Sequence, residues 1–196
     1  MNVAIVKYNA GNIYSVVNAL RRLGVEPLLT DDAEQLRSAD RVLFPGQGEA
    51  RQAMTYLRQH GLDRVITDLR QPVLGICIGQ QLMCRHSEEG DTDCLGIFPV
   101  DVKRFQPHRH EDKVPHMGWN QLSDTNDFIA EAVRPDSFVY FVHSFYVPVC
   151  SYTAATTHYI EPFSAALHKD NFYATQFHPE KSGAVGERIL RHFLEL

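Results

Sequence analysis

Short runs of apolar residues alternate with amphipathic stretches through the first 77 positions, and this rhythm restricts the fold more than any other feature of the chain. Val3-Ala4-Ile5-Val6 is apolar at every position before the charge at Lys7. Such a run needs cover on both faces, as in a parallel sheet held between helices. The glycine-marked turn Asn9-Ala10-Gly11-Asn12 leads to Ile13, Val16, Val17, Leu20 and Leu23 at helical spacing, with Gly24 as the stop. The same reading predicts strands over 25–29, 41–44 and 73–76, a weak helix over 33–38, a helix marked by Met54 and Leu57 and closed by Gly61, and another over 62–69. Repeated strand–helix units imply right-handed crossovers and a parallel sheet flanked by helices. Sites in such sheets form at the carboxyl ends of strands. Pro45-Gly46-Gln47-Gly48 and the turn at Cys77 both follow strands, so they should open on the same edge.

From Gly96 the texture changes to strand-like runs over 100–105, 114–120, 138–142, 153–159, 164–167 and 172–176. Lys169-Asp170-Asn171 reads as a hairpin loop between the last two. Mixed or antiparallel strands should therefore extend the parallel core, and a helix over 184–193 closes the chain. The expected class is α/β in a single domain spanning 1–196, with 44% apolar residues to fill its core.

The net charge of −5 and scattered Lys and Arg provide no field for nucleic acid, so no such partner is expected. The N-terminal apolar run is too short for a signal peptide or a membrane span. Four cysteines without a C-x-x-C pair fit a reducing compartment, and a cytoplasmic location away from membranes is expected. His108, His110 and His116, near Glu111 and Asp112, lack zinc-ligand spacing, so neither a metal nor another cofactor is anticipated.

Gly75-Ile76-Cys77-Ile78-Gly79 follows the apolar Pro72-Val73-Leu74 and reads as a nucleophile elbow. A side chain at the tip of a strand-to-helix turn stands clear of the sheet, and crowding there demands small neighbours. The following helix would place Cys77 at a positive dipole end that favours thiolate. Taken alone, the pentapeptide also admits a buried packing cysteine. Cys84, seven residues along the same expected helix, and Cys94 and Cys150, which lack flanking glycines, are read as packing residues.

Gln176-Phe177-His178-Pro179-Glu180 follows the final strand. A thiol nucleophile needs a base near neutral pH, which His178 can supply, and a carboxylate such as Glu180 can fix the imidazole tautomer. A surface loop that happens to hold His and Glu is the alternative for these residues alone. Acyl transfer also needs donors aimed at an oxyanion. The N–H of Ile78 and one from the turn holding Gly46 and Gln47 are the candidates.

These three stretches together resemble the class I, triad-type glutamine amidotransferases. Longer stretches, Lys113-Val114-Pro115-His116-Met117-Gly118-Trp119-Asn120, Tyr140-Phe141-Val142-His143-Ser144-Phe145-Tyr146 and His178-Pro179-Glu180-Lys181-Ser182-Gly183, resemble the glutaminase subunits of imidazole glycerol phosphate synthase. The resemblance spans essentially the whole chain and implies a flavodoxin-like α/β fold. It implies that Cys77, His178 and Glu180 are catalytic, cleaving L-glutamine to glutamate and ammonia. It places Gly46, Gln47 and Ile78 at the oxyanion, and Gly79, Gln81, Ser144, Phe145 and Tyr146 around the glutamine backbone. It further implies a heterodimer with a (β/α)8-barrel cyclase subunit that receives the ammonia, with Asn12, Met117, Trp119 and Lys181 on the side facing it.

One departure stands out. Gln47 occupies a position where the family usually has a small apolar residue, so the turn carries a longer amide side chain beside the expected oxyanion. Two other functions stay open on the sequence: a docking subunit without turnover, and a related glutaminase serving a different synthase. The intact Cys77, His178 and Glu180 speak against the first, and the tryptophan motif against the second.

Overall fold

The computed structural model describes residues 1–8, 11, 13–134 and 136–196. The strands are β1 (Val3–Val6), β2 (Leu28–Thr30), β3 (Arg41–Gly46), β4 (Val73–Cys77), β5 (Cys84–Ser87), β6 (Thr92–Asp93), β7 (Phe98–Arg104), β8 (His116–Gln121), β9 (Phe138–His143), β10 (Phe145–Tyr146), β11 (Thr153–His158), β12 (Pro162–Lys169) and β13 (Phe172–Thr175). The helices are α1 (Ile13–Arg22), α2 (Ala33–Ser38), α3 (Ala50–Gln59), α4 (Leu62–Asp68), α5 (Ile78–Leu82), α6 (Asp127–Ala132) and α7 (Gly183–Glu195), with a 3-10 turn at Pro179–Lys181.

A seven-stranded sheet in the order β11-β12-β13-β4-β3-β1-β2 forms the centre. Strands β2, β1, β3, β4 and β13 run parallel, and β12 and β11 continue the sheet antiparallel. The apolar runs alternate between faces as a period of two requires. Ala4, Val6, Val42, Phe44 and Val73 join one core with residues of α3, α4 and α5. Val3, Ile5, Leu43, Leu74 and Ile76 turn to the other face, against α1 and α7. Ile189, Leu190 and Phe193 of α7 are fully buried.

The helices stop and start where local chemistry dictates. Gly24 adopts φ +81, a left-handed conformation that ends α1 with little steric cost. Asp32 caps α2 by accepting from the Gln35 N–H at 2.9 Å, and Glu49 accepts from the N–H groups of Arg51 and Gln52 at the start of α3.

Several details differ from the sequence reading. The second strand begins at Leu28, three residues later than expected. The helix after Cys77 ends at Leu82, so Cys84 is not on it; Cys84 instead opens β5 and is fully buried. Of the later strands, β11, β12 and β13 join the large sheet. The remaining ones form a four-stranded sheet, β10-β7-β5-β6, and the separate pair β8-β9. Strands β5, β6 and β10 and helix α6 have no periodic signal strong enough to predict them. The expected loop between β12 and β13 is present, with Asp170 at φ +54.

Candidate active site

Strands β3 and β4 lie side by side with Gly46 paired to Cys77, so the two turns do emerge at one edge. Strand β13 flanks β4 on its other side, with Thr175 opposite Ile76, and delivers the 176–180 segment to the same edge.

Cys77 holds φ +57 and ψ −108, a conformation rare for a residue with a side chain. The turn survives because its neighbours are small. A Cβ on Gly79 would lie 1.8 Å from the Phe44 carbonyl oxygen, and one on Gly75 would lie 2.9 Å from the Gly79 carbonyl carbon. Helix α5 therefore packs directly on the backbone of β3 and β4, aiming the thiol out of the sheet. That helix is short, five residues from Ile78 to Leu82. The sulfur touches the Val142 carbonyl oxygen and the Gln176 amide Nε2, each at 3.8 Å.

His178 is buried and its Nδ1 lies 2.7 Å from Glu180 Oε1, whose side chain is equally enclosed. Burial alone would push the imidazole pKa down. The charge of a Cys77 thiolate and its hydrogen bond to the ring, followed by the hydrogen bond to Glu180 and the charge of Glu180, outweigh that and raise it to about 10. Sulfur and ring thus act on each other directly, and His178 Nε2 has no partner other than the sulfur among the described residues. Nδ1 is the donor to the carboxylate, so Nε2 is the nitrogen available for proton exchange at the sulfur. Ser182 fixes the segment: its hydroxyl donates to the His178 carbonyl at 2.6 Å and accepts from the Tyr140 N–H at 3.0 Å.

A cleft of about 340 Å³ opens beside the sulfur, within the size of small-molecule sites. Gln47, Ile78, Gln81, Ser144 and Phe145 line it, as does Cys77. Gly46, His178 and Glu180 lie behind it, around a smaller recess. Two expected contact residues lie elsewhere. Gly79 is packed against Phe44, and Tyr146 stacks on Phe105 with ring centres 4.4 Å apart. In the 45–48 turn, the Gln47 carbonyl accepts from the Gly11 N–H at 3.1 Å. Because the peptide is trans and planar, the Gly48 N–H faces the opposite way.

Met117 and Trp119 project from one face of β8 and are 63% and 57% exposed. Trp119 meets Tyr140 edge-on at 6.0 Å, and the Tyr140 carbonyl accepts from the His178 N–H at 2.9 Å. Lys181 ends the 3-10 turn that carries Glu180. An exposed apolar patch thus adjoins the backbone of the His178 segment. Asn12 lies outside the described residues.

Sequence reasoning misses three contributors. Gln176 is fully buried, accepts from Gln81 Nε2 at 2.9 Å and donates to the sulfur. Its position two residues before His178 is the available signal. Glu89 brings a carboxylate to the cleft wall, where burial raises its pKa. No local motif marks it. His143 also lines the cleft, and the sequence alone gives it no role. Among the described residues no group of three or more His, Cys, Asp and Glu gathers as a metal would require, and no helix is long and apolar enough to cross a membrane.

A strained cysteine at a strand-to-helix elbow, facing a carboxylate-anchored imidazole, is the arrangement of a thiol-dependent acyl-transfer site. Residues 4–196 match the family model described as glutamine amidotransferase class-I, and the chain belongs to that family. Within it, the chain is 68% identical to the imidazole glycerol phosphate synthase subunit HisH of Bacteroides thetaiotaomicron, over the full length of both. Its identity to the HisH of Idiomarina loihiensis is 48%, covering 100% of this chain and 98% of the relative. Among solved structures, a glutamine amidotransferase superposes with TM-score 0.75 at 19% identity, covering 99% of this chain and 98% of the other. A glutamine amidotransferase from Thermotoga maritima superposes with TM-score 0.62 at 16% identity, covering 100% and 83%. These two structures speak to the fold.

Proposed function

We infer that this chain is the glutaminase subunit of an imidazole glycerol phosphate synthase of histidine biosynthesis, one domain spanning 1–196, working in the cytoplasm. The observation carrying the catalytic reading is the convergence, at one sheet edge, of the strained Cys77 with a His178–Glu180 pair held at 2.7 Å.

The Cys77 thiol passes its proton to His178 Nε2 as its sulfur attacks the side-chain amide carbon of L-glutamine. The C–N bond breaks as His178 gives a proton from Nε2 to the departing nitrogen, releasing ammonia and leaving a γ-glutamyl thioester. His178 then takes a proton from water, whose oxygen attacks the thioester carbon, and glutamate leaves with the thiol restored. Glu180 keeps Nδ1 protonated throughout. The Ile78 N–H and one from the 45–48 turn serve the oxyanion, with Gly46 and Gln47 shaping that turn. Gln81, Ser144 and Phe145 frame the amino-acid end of the substrate, Tyr146 packs away from it on Phe105, and Gly79 lets the elbow pack. Glu89, on the cleft wall, is the group suited to the α-ammonium.

Ammonia released into water would be protonated and lost, so a sealed exit toward an acceptor favours productive transfer. The acceptor is a (β/α)8-barrel cyclase subunit, docked as a heterodimer on the face bearing Met117, Trp119 and Lys181. The test is glutamate release from glutamine with and without that loaded subunit. Turnover should be weak alone, rise on complex formation and vanish in Cys77→Ala. No glutamate from the wild-type complex would leave a docking role in its place.

A further inference from the structure

Strand β8 and strand β9 place His116 and His143 opposite each other in register, both nearly fully buried. The two imidazoles are joined directly, His116 Nδ1 to His143 Nε2 at 3.0 Å. Their surroundings determine every proton. The Phe145 carbonyl can only accept, so His143 Nδ1, at 2.7 Å, is the donor. His143 Nε2 is then the acceptor, provided the ring is neutral, and His116 Nδ1 must donate to it. His116 Nε2 is left to accept from Asn120 Nδ2 at 3.2 Å. Asn120 is itself oriented, because its Nδ2 also donates to the His158 carbonyl and its Oδ1 accepts from the Gln121 N–H. Burial lowers the pKa of both imidazoles, to about 4 for His116 and about 3 for His143, which keeps them neutral.

The pair ends at the reaction centre. The Phe145 carbonyl that receives the His143 proton also receives Gln81 Nε2 at 3.0 Å. Gln81 Nε2 spans to Gln176 Oε1, and Gln176 Nε2 reaches the Cys77 sulfur. Two hydrogen-bonded arms therefore meet at one carbonyl, one from β8 and one from the nucleophile. Rings restrict His116 from both sides: Tyr159 stacks at 4.1 Å and Phe141 at 4.8 Å between centres.

We propose that the His116–His143 pair is a positioning device for the glutaminase reaction. In a single neutral tautomeric state it fixes the Ser144–Phe145 backbone that lines the cleft and, through Phe145, the Gln81–Gln176 amides that orient the sulfur. Neither histidine exchanges a proton with substrate. This inference rests on the glutaminase reading of the cleft.

The experiment measures kcat and KM for glutamine in complexes of the barrel subunit with His116→Leu, His116→Asn, His143→Leu and His143→Asn. Active fraction is titrated by alkylation of Cys77, and melting temperature is recorded for each. His116→Leu leaves His143 Nε2 unpaired, whereas His116→Asn puts an amide donor near the lost Nδ1. Similarly, His143→Asn retains a donor for the Phe145 carbonyl and His143→Leu does not. The leucine variants should raise KM about tenfold, and the asparagine variants should restore it to within about threefold of wild type. Leucine and asparagine variants that lose melting temperature or active fraction alike while keeping wild-type KM would reduce the pair to packing. Residual turnover in Cys77→Ala would instead remove the glutaminase reading. An inactive Cys77→Ala beside wild-type KM in both leucine variants would sink the positioning role alone.

Discussion

Glu180→Gln isolates the charge in the His178–Glu180 pair from its geometry. The side chain is almost completely enclosed and reaches His178 Nδ1 at 2.7 Å, so solvent screens the interaction little. Glutamine has the same shape and can still accept from Nδ1 through its amide oxygen, so the tautomer is retained while the negative charge is lost. A hydrogen bond to a charged group contributes about 1.5–3 kcal/mol, which converts to a fall of roughly 10- to 150-fold in kcat/KM. Removing Glu180 also removes one of the influences that raise the His178 pKa, so that pKa should fall from its position near 10. The assay is glutamate release by the wild-type and variant complexes across pH, with thiol alkylation as an independent monitor of the site. A variant within about twofold of wild type in kcat/KM, with an unshifted pH profile, would refute the claim that this carboxylate steadies the imidazolium.

Three other outcomes follow from the same structure. His116 and His143 have folded pKa values below the unfolded value, near 4 and 3, so the stability tied to their neutral forms is present above about pH 6.5 and lost as pH falls toward those values. A tenfold change in proton affinity corresponds to about 1.4 kcal/mol, so urea midpoints should fall steeply between about pH 6.5 and 4, and much less steeply in the double variant H116N/H143N. Gly79→Ala sets a methyl against the Phe44 carbonyl oxygen and should destabilise the fold by about 3 kcal/mol or more, read as a drop in melting temperature. Trp119→Ala should weaken binding of the barrel subunit by about tenfold or more, measured by calorimetry, without shifting the melting temperature of the free chain, because the indole is largely exposed. A melting-temperature loss with unchanged affinity would place Trp119 among the structural residues.

The parallel half of the fold is legible because its strands are apolar at nearly every position and its helices carry clear stripes. Residues 3–6 and 73–77 are examples, buried throughout in the structure. The later sheets are harder to read. Strand β7 alternates burial irregularly, β6 and β10 have two residues each, and their pairing depends on partners distant in the chain. The same distinction governs the site. Cys77, His178 and Glu180 carry local signatures, two flanking glycines and an H-x-E spacing, each ambiguous alone and pointing to a triad only in combination. Gln176, Glu89 and His143 are brought to the site by contacts that only folding supplies: Gln176 meets Gln81 across 95 positions, and His143 meets His116 across 27. Cys84 is misplaced by sequence reasoning because nothing in the chain marks the end of a five-residue helix at Leu82. Trp119 carries no local signal of its own, and its exposure, implied in the sequence only by resemblance, is seen in the structure.

Acid-quenching the complex during turnover with glutamine, followed by peptide mass spectrometry, interrogates the sulfur itself. A γ-glutamyl adduct should appear on the peptide bearing Cys77 and be absent from Cys77→Ala, which should release no glutamate. Glutamate production by Cys77→Ala, or an adduct confined to Cys84, Cys94 or Cys150, would contradict the assignment of the elbow cysteine as the nucleophile.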